Sequence, residues 1–227
     1  MSEAAIIKKF EVQIFKPEGT ATGITVFLPG TLLKLKEHSS TCDVLVEQNQ
    51  IVIGFENMNP FPFVGRNHQK MAEDVASVVK EFLAIEEFSS LPAQHNVVGH
   101  SLGGKVALMV AAKYDIDNVK KIIALDPVDD KPRELTAPKL SPTTNLGASK
   151  AEEIHLFQSG TGGERWFMPL CPKDRNASVV QELYPDQITS FEINAGAGHM
   201  SYKDTEKDDA SVQARESVQA KIRAVIS

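Results

Sequence analysis

Residues 96–112 read NVVGHSLGGKVALMVAA: an apolar run, a serine flanked by glycines, and a second apolar run. Glycine loses more conformational freedom on folding than any other residue, so Gly99, Gly103 and Gly104 around Ser101 need a steric reason. A sharp turn from a buried strand into a buried helix supplies one. Residues two positions either side of the turn face the adjoining strand and helix, where a side chain would collide. Such a turn presents the serine hydroxyl and aims the Leu102 N–H, at a helix N-terminus, toward an oxygen that becomes negative when Ser101 attacks a carbonyl.

Two other readings compete for this stretch. Gly99, Gly104 and Lys105 satisfy most of the phosphate-cradling pattern G-x-x-x-x-G-K-[ST], and KIIALD (121–126) resembles the apolar strand that ends in a magnesium-binding Asp. The pattern breaks at Val106, which has no hydroxyl for Mg²⁺. The plainer alternative is a tight strand-helix turn without chemistry.

The rest of the chain decides between them. Short β-rich runs at 10–15, 23–30, 50–56, 95–100, 120–126 and 152–160 alternate with helix-period segments, the pattern of a parallel sheet with crossover helices. From His68 to Glu87, Met71, Val75, Val78, Val79, Phe82 and Leu83 recur at helical spacing. Residues 102–114 predict a helix apolar on nearly every side. A last strand within 187–199 and a closing helix over about 209–226 complete the order. Irregular insertions rich in Pro and Gly occupy about 127–150 and 160–178. At 227 residues, with 42% hydrophobic residues, one domain over 1–227 is the expectation.

Lys and Arg total 24 against 30 Asp and Glu, a net charge of −6, which argues against nucleic-acid and anionic-membrane surfaces. Cys42 and Cys171 have no His or Cys at ligand spacing, so neither a disulfide framework nor a zinc site is expected. The opening residues carry Glu3 and Glu11 and too short an apolar run for a signal peptide. The cytosol is the default compartment; a plastid setting would require a leader already removed.

A serine nucleophile needs a base, and the base an orienting carboxylate, in the chain order Ser, Asp or Glu, His. Downstream of Ser101 lie only His155 and His199. His155 falls inside a strand, whereas His199 sits in NAGAGHM, a glycine-rich, mobile-looking loop after the final strand. His199 is the expected base. Asp126 ends the strand IIALD ahead of Pro127, at the carboxyl edge where ligands bind in open α/β sheets. Glu164, after the next strand, is the second choice, with Asp129 and Asp130 as further competing acids. The second oxyanion donor is the backbone N–H of Thr31 or of Leu32, since Pro29 has none. His38, His68, His95 and His100 show no metal spacing and read as surface or helix-start residues. No cofactor and no metal are implied.

Four segments, GHSLGGK (99–105), ALDPVDD (124–130), CP with Asn176 (171–176) and GHM with Asp204 (198–204), make the chain resemble the chlorophyllases, which cleave the phytol ester of chlorophyll. The likeness spans somewhat more than half of the chain. It implies an α/β-hydrolase fold: a mostly parallel sheet, helices on both faces, and loop insertions over the carboxyl edge. It places the family's serine, aspartate and histidine on Ser101, Asp126 and His199. ALDPV favours Asp126 over Glu164, because lipase-like relatives also carry the acid after this strand. Leu102 stands where the family usually has Arg, and Pro29-Gly30 where it has His-Gly. Both departures lie beside the acyl group and bear on substrate more than on reaction type.

The loops 57–65 and 165–170 are apolar. At the carboxyl edge Phe61, Phe63, Trp166 and Phe167, with Leu32, would wall a site for a bulky apolar ester such as chlorophyll. Packing beneath helices is the more ordinary fate of such residues. A general carboxylesterase or lipase is the alternative activity. A second class of reading is a receptor of the same fold that only binds a small apolar ligand.

Overall fold

The structure, a computed structural model, describes residues 2–7, 10–56, 58, 67–130, 133–137, 145–162, 164–165 and 168–226. Its strands are β1 (Ser2–Ile7), β2 (Phe10–Phe15), β3 (Gly23–Leu28), β4 (Gln50–Phe55), β5 (His95–His100), β6 (Val119–Leu125), β7 (Glu153–Ser159), β8 (Glu164–Arg165), β9 (Met168–Pro169) and β10 (Ser190–Asn194). Eight of them form one sheet in the order β1-β2-β4-β3-β5-β6-β7-β10, while β8 and β9 pair as a small hairpin. From β4 to β10 every neighbouring pair is parallel; β2 joins β4 antiparallel, and β1 joins β2 antiparallel.

The helices are α1 (Ser39–Glu47), α2 (His68–Leu83), α3 (Leu102–Met109), α4 (Ala177–Leu183) and α5 (Asp209–Val225). Strands β3, β4 and β5 are buried at every position, which a parallel sheet covered on both faces demands of its central strands. Their alternation divides the core in two. Val26, Val97 and Ile122 pack with Val75, Val78 and Phe82 of α2 and with Val106 of α3. Phe27, Val98 and Ile123, one residue along, pack with Leu45 of α1 and with Val218 and Ile222 of α5 on the other face. Each such aliphatic side chain contributes about 1.5–3 kcal/mol by leaving water.

Two helices start on side-chain caps. The Asn67 side chain accepts from Lys70 N ahead of α2, and Asp208 accepts from Ser211 N ahead of α5. The segment 102–114 is helical as expected, all α3 residues being buried, but its last turn over Val110–Tyr114 widens to a π turn, closed by Asp115 N–H to Val110 O at 2.9 Å.

Five elements lie outside the sequence reading: β1, the short strands β8 and β9, α1 and α4. Helix α1 has no cap of its own. Its Ser40 N–H donates to the Asp204 carboxylate at 2.9 Å, across 164 residues of chain. Helix α4 starts on Asn176, whose side chain accepts from Ser178 N, inside what composition suggested was irregular. Among the described residues no helix is long and apolar enough to cross a membrane.

Candidate active site

Strand β5 ends at His100, α3 begins at Leu102, and Ser101 between them has φ 56° and ψ −117°. The glycines answer a double close approach. A Cβ at Gly99 would lie 2.4 Å from the carbonyl group of Gly103, and one at Gly103 would lie 2.1 Å from Leu28 O. Any side chain at either place would force the helix away from the sheet. The neighbouring strand ends in a second strained residue, Asp126, with φ 45° ahead of Pro127. Non-glycine residues at positive φ cost of order 1–3 kcal/mol each, and here both carry site side chains. The sheet ladder continues through them: Ser101 N–H donates to Leu125 O at 2.9 Å, and Asp126 N–H to Phe157 O at 2.7 Å.

At this edge the Ser101 hydroxyl lies 2.9 Å from His199 Nε2, and His199 Nδ1–H donates to Asp126 Oδ2 at 2.6 Å. All three side chains are buried. Nδ1 carries the proton that meets the carboxylate, so Nε2 is left to accept from the serine. Asp126 has further donors that the sequence reading missed: Ser159 gives it a backbone N–H at 2.8 Å and a hydroxyl at 2.6 Å. Burial by itself pushes the Asp126 carboxyl up, but the bonds from His199 and Ser159 outweigh it and hold the group below its ordinary value. The signal for Ser159 was the strand pairing, since Leu125 opposite Phe157 brings the ends of β6 and β7 together.

Of the competing acids, Asp129 is held by Lys105 and by the N–H groups of Glu134, Leu135 and Thr136. Asp130 pairs with Arg175. Glu164 lies in β8, and its side chain is outside the described residues. The acid beside His199 is Asp126.

The loop after β3 comes close to this turn: a Cβ at Gly30 would lie 3.0 Å from Ser101 Cβ, and Thr31 and Leu32 follow Gly30 in the chain. Leu32 has φ 61° and is 58% exposed. Leu102 opens α3, where its N–H has no partner within the helix. Phe61, Phe63, Trp166 and Phe167 lie outside the described residues.

Two expectations are corrected. The turn bearing His199 does not look mobile: its main-chain carbonyls are gripped from three sides. His100 Nε2–H donates to His199 O at 2.9 Å, His38 Nδ1–H to Tyr202 O at 3.2 Å, and Arg215 to Ser201 O at 2.9 Å and Lys203 O at 2.7 Å. Nor are the other histidines surface residues. His38, His68, His95 and His100 are all buried: His38 bonds Tyr202 O, His68 meets Lys105, His100 bonds His199 O and His95 meets the nearby Ala93 O, while His68 does open helix α2. His155, in β7, is buried as well, between Ser190 and Glu153.

Lys105, the residue that suggested a phosphate loop, is also fully buried. Its ammonium meets Asp129 at 2.8 Å, Glu134 closely, His68 Nδ1 at 2.9 Å and Asp130 O at 3.0 Å. It ties α3 to the loop that follows Asp126. Burial pushes the Glu134 carboxyl up, and Lys105 offsets part of that.

Both cysteines are buried free thiols. Among the described residues one group of potential metal donors occurs, Asp126, Cys171 and His199, with its atoms within 4.8 Å of one another. Two of its members are already joined by the 2.6 Å hydrogen bond, which a cation there would have to replace. Burial pushes the Cys171 thiol up, and the Asp126 charge adds to it, so the sulfur stays protonated beside the acid.

The alpha/beta hydrolase fold family matches residues 61–147, a span that includes Ser101 and Asp126 but not His199. No curated protein sequence is similar enough to match this chain. Among solved structures, the chain is similar over its whole length to a dienelactone hydrolase from Anabaena variabilis, at 14% identity and a TM-score of 0.68 over 98% of that chain. It is likewise similar over its whole length to carboxyl esterase 2 from Tuber melanosporum, at 12% identity and a TM-score of 0.72 over 87% of that chain. With this strand order and these superpositions, the chain has the α/β-hydrolase fold.

Proposed function

We propose that this protein is a serine hydrolase of carboxylic esters. The observation that carries the reading is the buried chain of contacts from Ser101 Oγ through His199 to Asp126, at 2.9 and 2.6 Å, on a strained strand-helix turn. His199 Nε2 takes the hydroxyl proton as Ser101 Oγ bonds to the ester carbonyl carbon. The carbonyl oxygen becomes an oxyanion against the N–H groups of Leu102 and Thr31. His199 then passes the proton to the departing alcohol, leaving an acyl group on Ser101. Water, deprotonated by the same imidazole, releases the acid and restores the hydroxyl. Asp126 stays ionised throughout and stabilises the imidazolium, consistent with the direction in which its carboxyl is held.

The finer part of the proposal is the substrate: the phytol ester of chlorophyll, cleaved to chlorophyllide and phytol without added metal or nucleotide. Its support is the sequence resemblance. Around one edge stand Ser101 and Lys105, Asp126 and Asp129, Cys171 beside Asp126, and His199, with Asp204 anchoring the turn that follows. Leu32, Phe61, Phe63, Trp166 and Phe167 are the proposed apolar contacts, with the ring and tail binding energy spent on orienting the carbonyl. Incubation with chlorophyll, a triglyceride and a short nitrophenyl ester tests both levels. Phytol release that Trp166→Ala or Phe61→Ala impairs more than nitrophenyl ester cleavage supports chlorophyll. Rapid short-ester cleavage without phytol makes it a general carboxylesterase, and failure of a fluorophosphonate to label Ser101 in folded protein makes it a receptor.

A further inference from the structure

We infer that His100 is a positioning residue for His199, holding the main chain of the base while Ser101, its neighbour in sequence, meets the ring. The inference rests on the proposed pairing of Ser101 with His199. Alternation along β5 puts His100 on the same face as Val98, which is the face where the turn of residues 199–202 packs through Tyr202. There the His100 ring is fully buried, with its centroid 5.0 Å from His199, 5.2 Å from His38 and 5.6 Å from Tyr202.

The contact is directional as well as steric. His100 Nε2–H donates to His199 O at 2.9 Å, and Ser101 Oγ stands 2.9 Å from His199 Nε2. One dipeptide thus grips residue 199 at both its carbonyl and its imidazole. With Asp126 holding Nδ1, the base is fixed at three points, two of them from adjacent residues at the nucleophile turn. Nδ1 of His100 has no hydrogen-bond partner among the described residues, so the geometry selects a neutral ring with its single proton on Nε2. Burial, followed by the neighbouring His199 and His38, disfavours the charged ring. Losing the carbonyl contact leaves a buried acceptor unpaired and frees the turn to shift, and a shift of about 1 Å in a reacting group is enough to slow turnover on the order of a hundredfold.

The test compares nitrophenyl butyrate turnover by wild type, His100→Phe and His100→Gln, with Ser101→Ala as background, and assigns the His100 tautomer in ¹⁵N-histidine-labelled wild type by NMR. Expected are a fall in kcat of about 10- to 100-fold for His100→Phe with KM unchanged, recovery of most of it by His100→Gln, whose amide also donates, and an Nε2–H tautomer. The inference is overturned by a folded His100→Phe with wild-type kcat, by a His100→Gln no better than the Phe variant, or by an Nδ1–H tautomer. If the Phe variant does not fold, the Gln variant and the tautomer decide. Wild-type turnover that Ser101→Ala does not remove would sink the serine mechanism instead, while the tautomer still reads the clamp.

Discussion

His38 makes the stability of this fold sensitive to mild acid, and the size of the effect follows from its surroundings. The ring is fully buried 5.1 Å from the Phe27 ring and beside His100, with Nδ1–H bonded to Tyr202 O and Nε2 without a hydrogen-bond partner among the described residues. Burial lowers it from an ordinary 6.5 to about 4, outweighing the Tyr202 carbonyl and the charges of Asp204 and Glu37, while Lys203 adds to the lowering. The unfolded chain therefore binds a proton between pH 6.5 and about 4 that the fold refuses, so stability is full above 6.5 and is lost as pH falls toward 4. At about 1.36 kcal/mol per pH unit the complete loss is about 3 kcal/mol, of which about 2 kcal/mol has gone by roughly pH 5. Urea unfolding of wild type and His38→Gln at pH 7.5 and pH 5 isolates this ring, because the amide keeps a donor for Tyr202 O and does not titrate. Wild type should lose about 2 kcal/mol more than the variant over that interval. Parallel losses in the two proteins would refute the reasoning.

Ser101→Ala should fold normally and lose several orders of magnitude of ester turnover, the oxyanion donors retaining a trace; a variant keeping a tenth of the activity would remove the serine from the mechanism. Asp126→Asn should lower kcat by about 10⁴-fold, because the amide favours the wrong imidazole tautomer, whereas Glu164→Gln should change little; steady-state kinetics showing the reverse order would move the acid. Lys105→Met should cost about 3–5 kcal/mol in urea unfolding by leaving Asp129 and Glu134 buried without their cation. Adding Glu134→Gln should restore part of that loss, since it removes the carboxyl that burial already disfavours.

How far the sequence reaches is clearest at residues 96–112. Two apolar runs around glycine, serine and glycine specify a strand, a tight turn and a helix, because each glycine is needed where backbone meets backbone. The same local logic finds β2 to β7, β10, α2, α3 and α5, whose periodicity reports which face is buried. It also ranks Ser101, Asp126 and His199 by chain order. Helix α1 escapes it: Thr41, Cys42, Val44 and Leu45 are buried at helical spacing and Ser39 and Ser40 are residue types that open helices, but the bond that caps its N-terminus comes from the distant Asp204.

The histidines escape for the same reason. By themselves His38 and His100 are polar residues beside a helix start and a nucleophile; only the packing of α1, β5 and the 199–202 turn shows that each satisfies a carbonyl 164 or 99 residues away. Lys105 reads as a phosphate ligand until Asp129 and Glu134 are seen to close on it. The sequence by itself determined the elements, the turn that holds Ser101 and the kinds of groups that could serve it, since these depend on side-chain period and local sterics. The tertiary structure alone decided which acid meets the base, which buried polar groups pair, and how firmly His199 is held, because those bonds join residues that only the strand order brings within 3 Å.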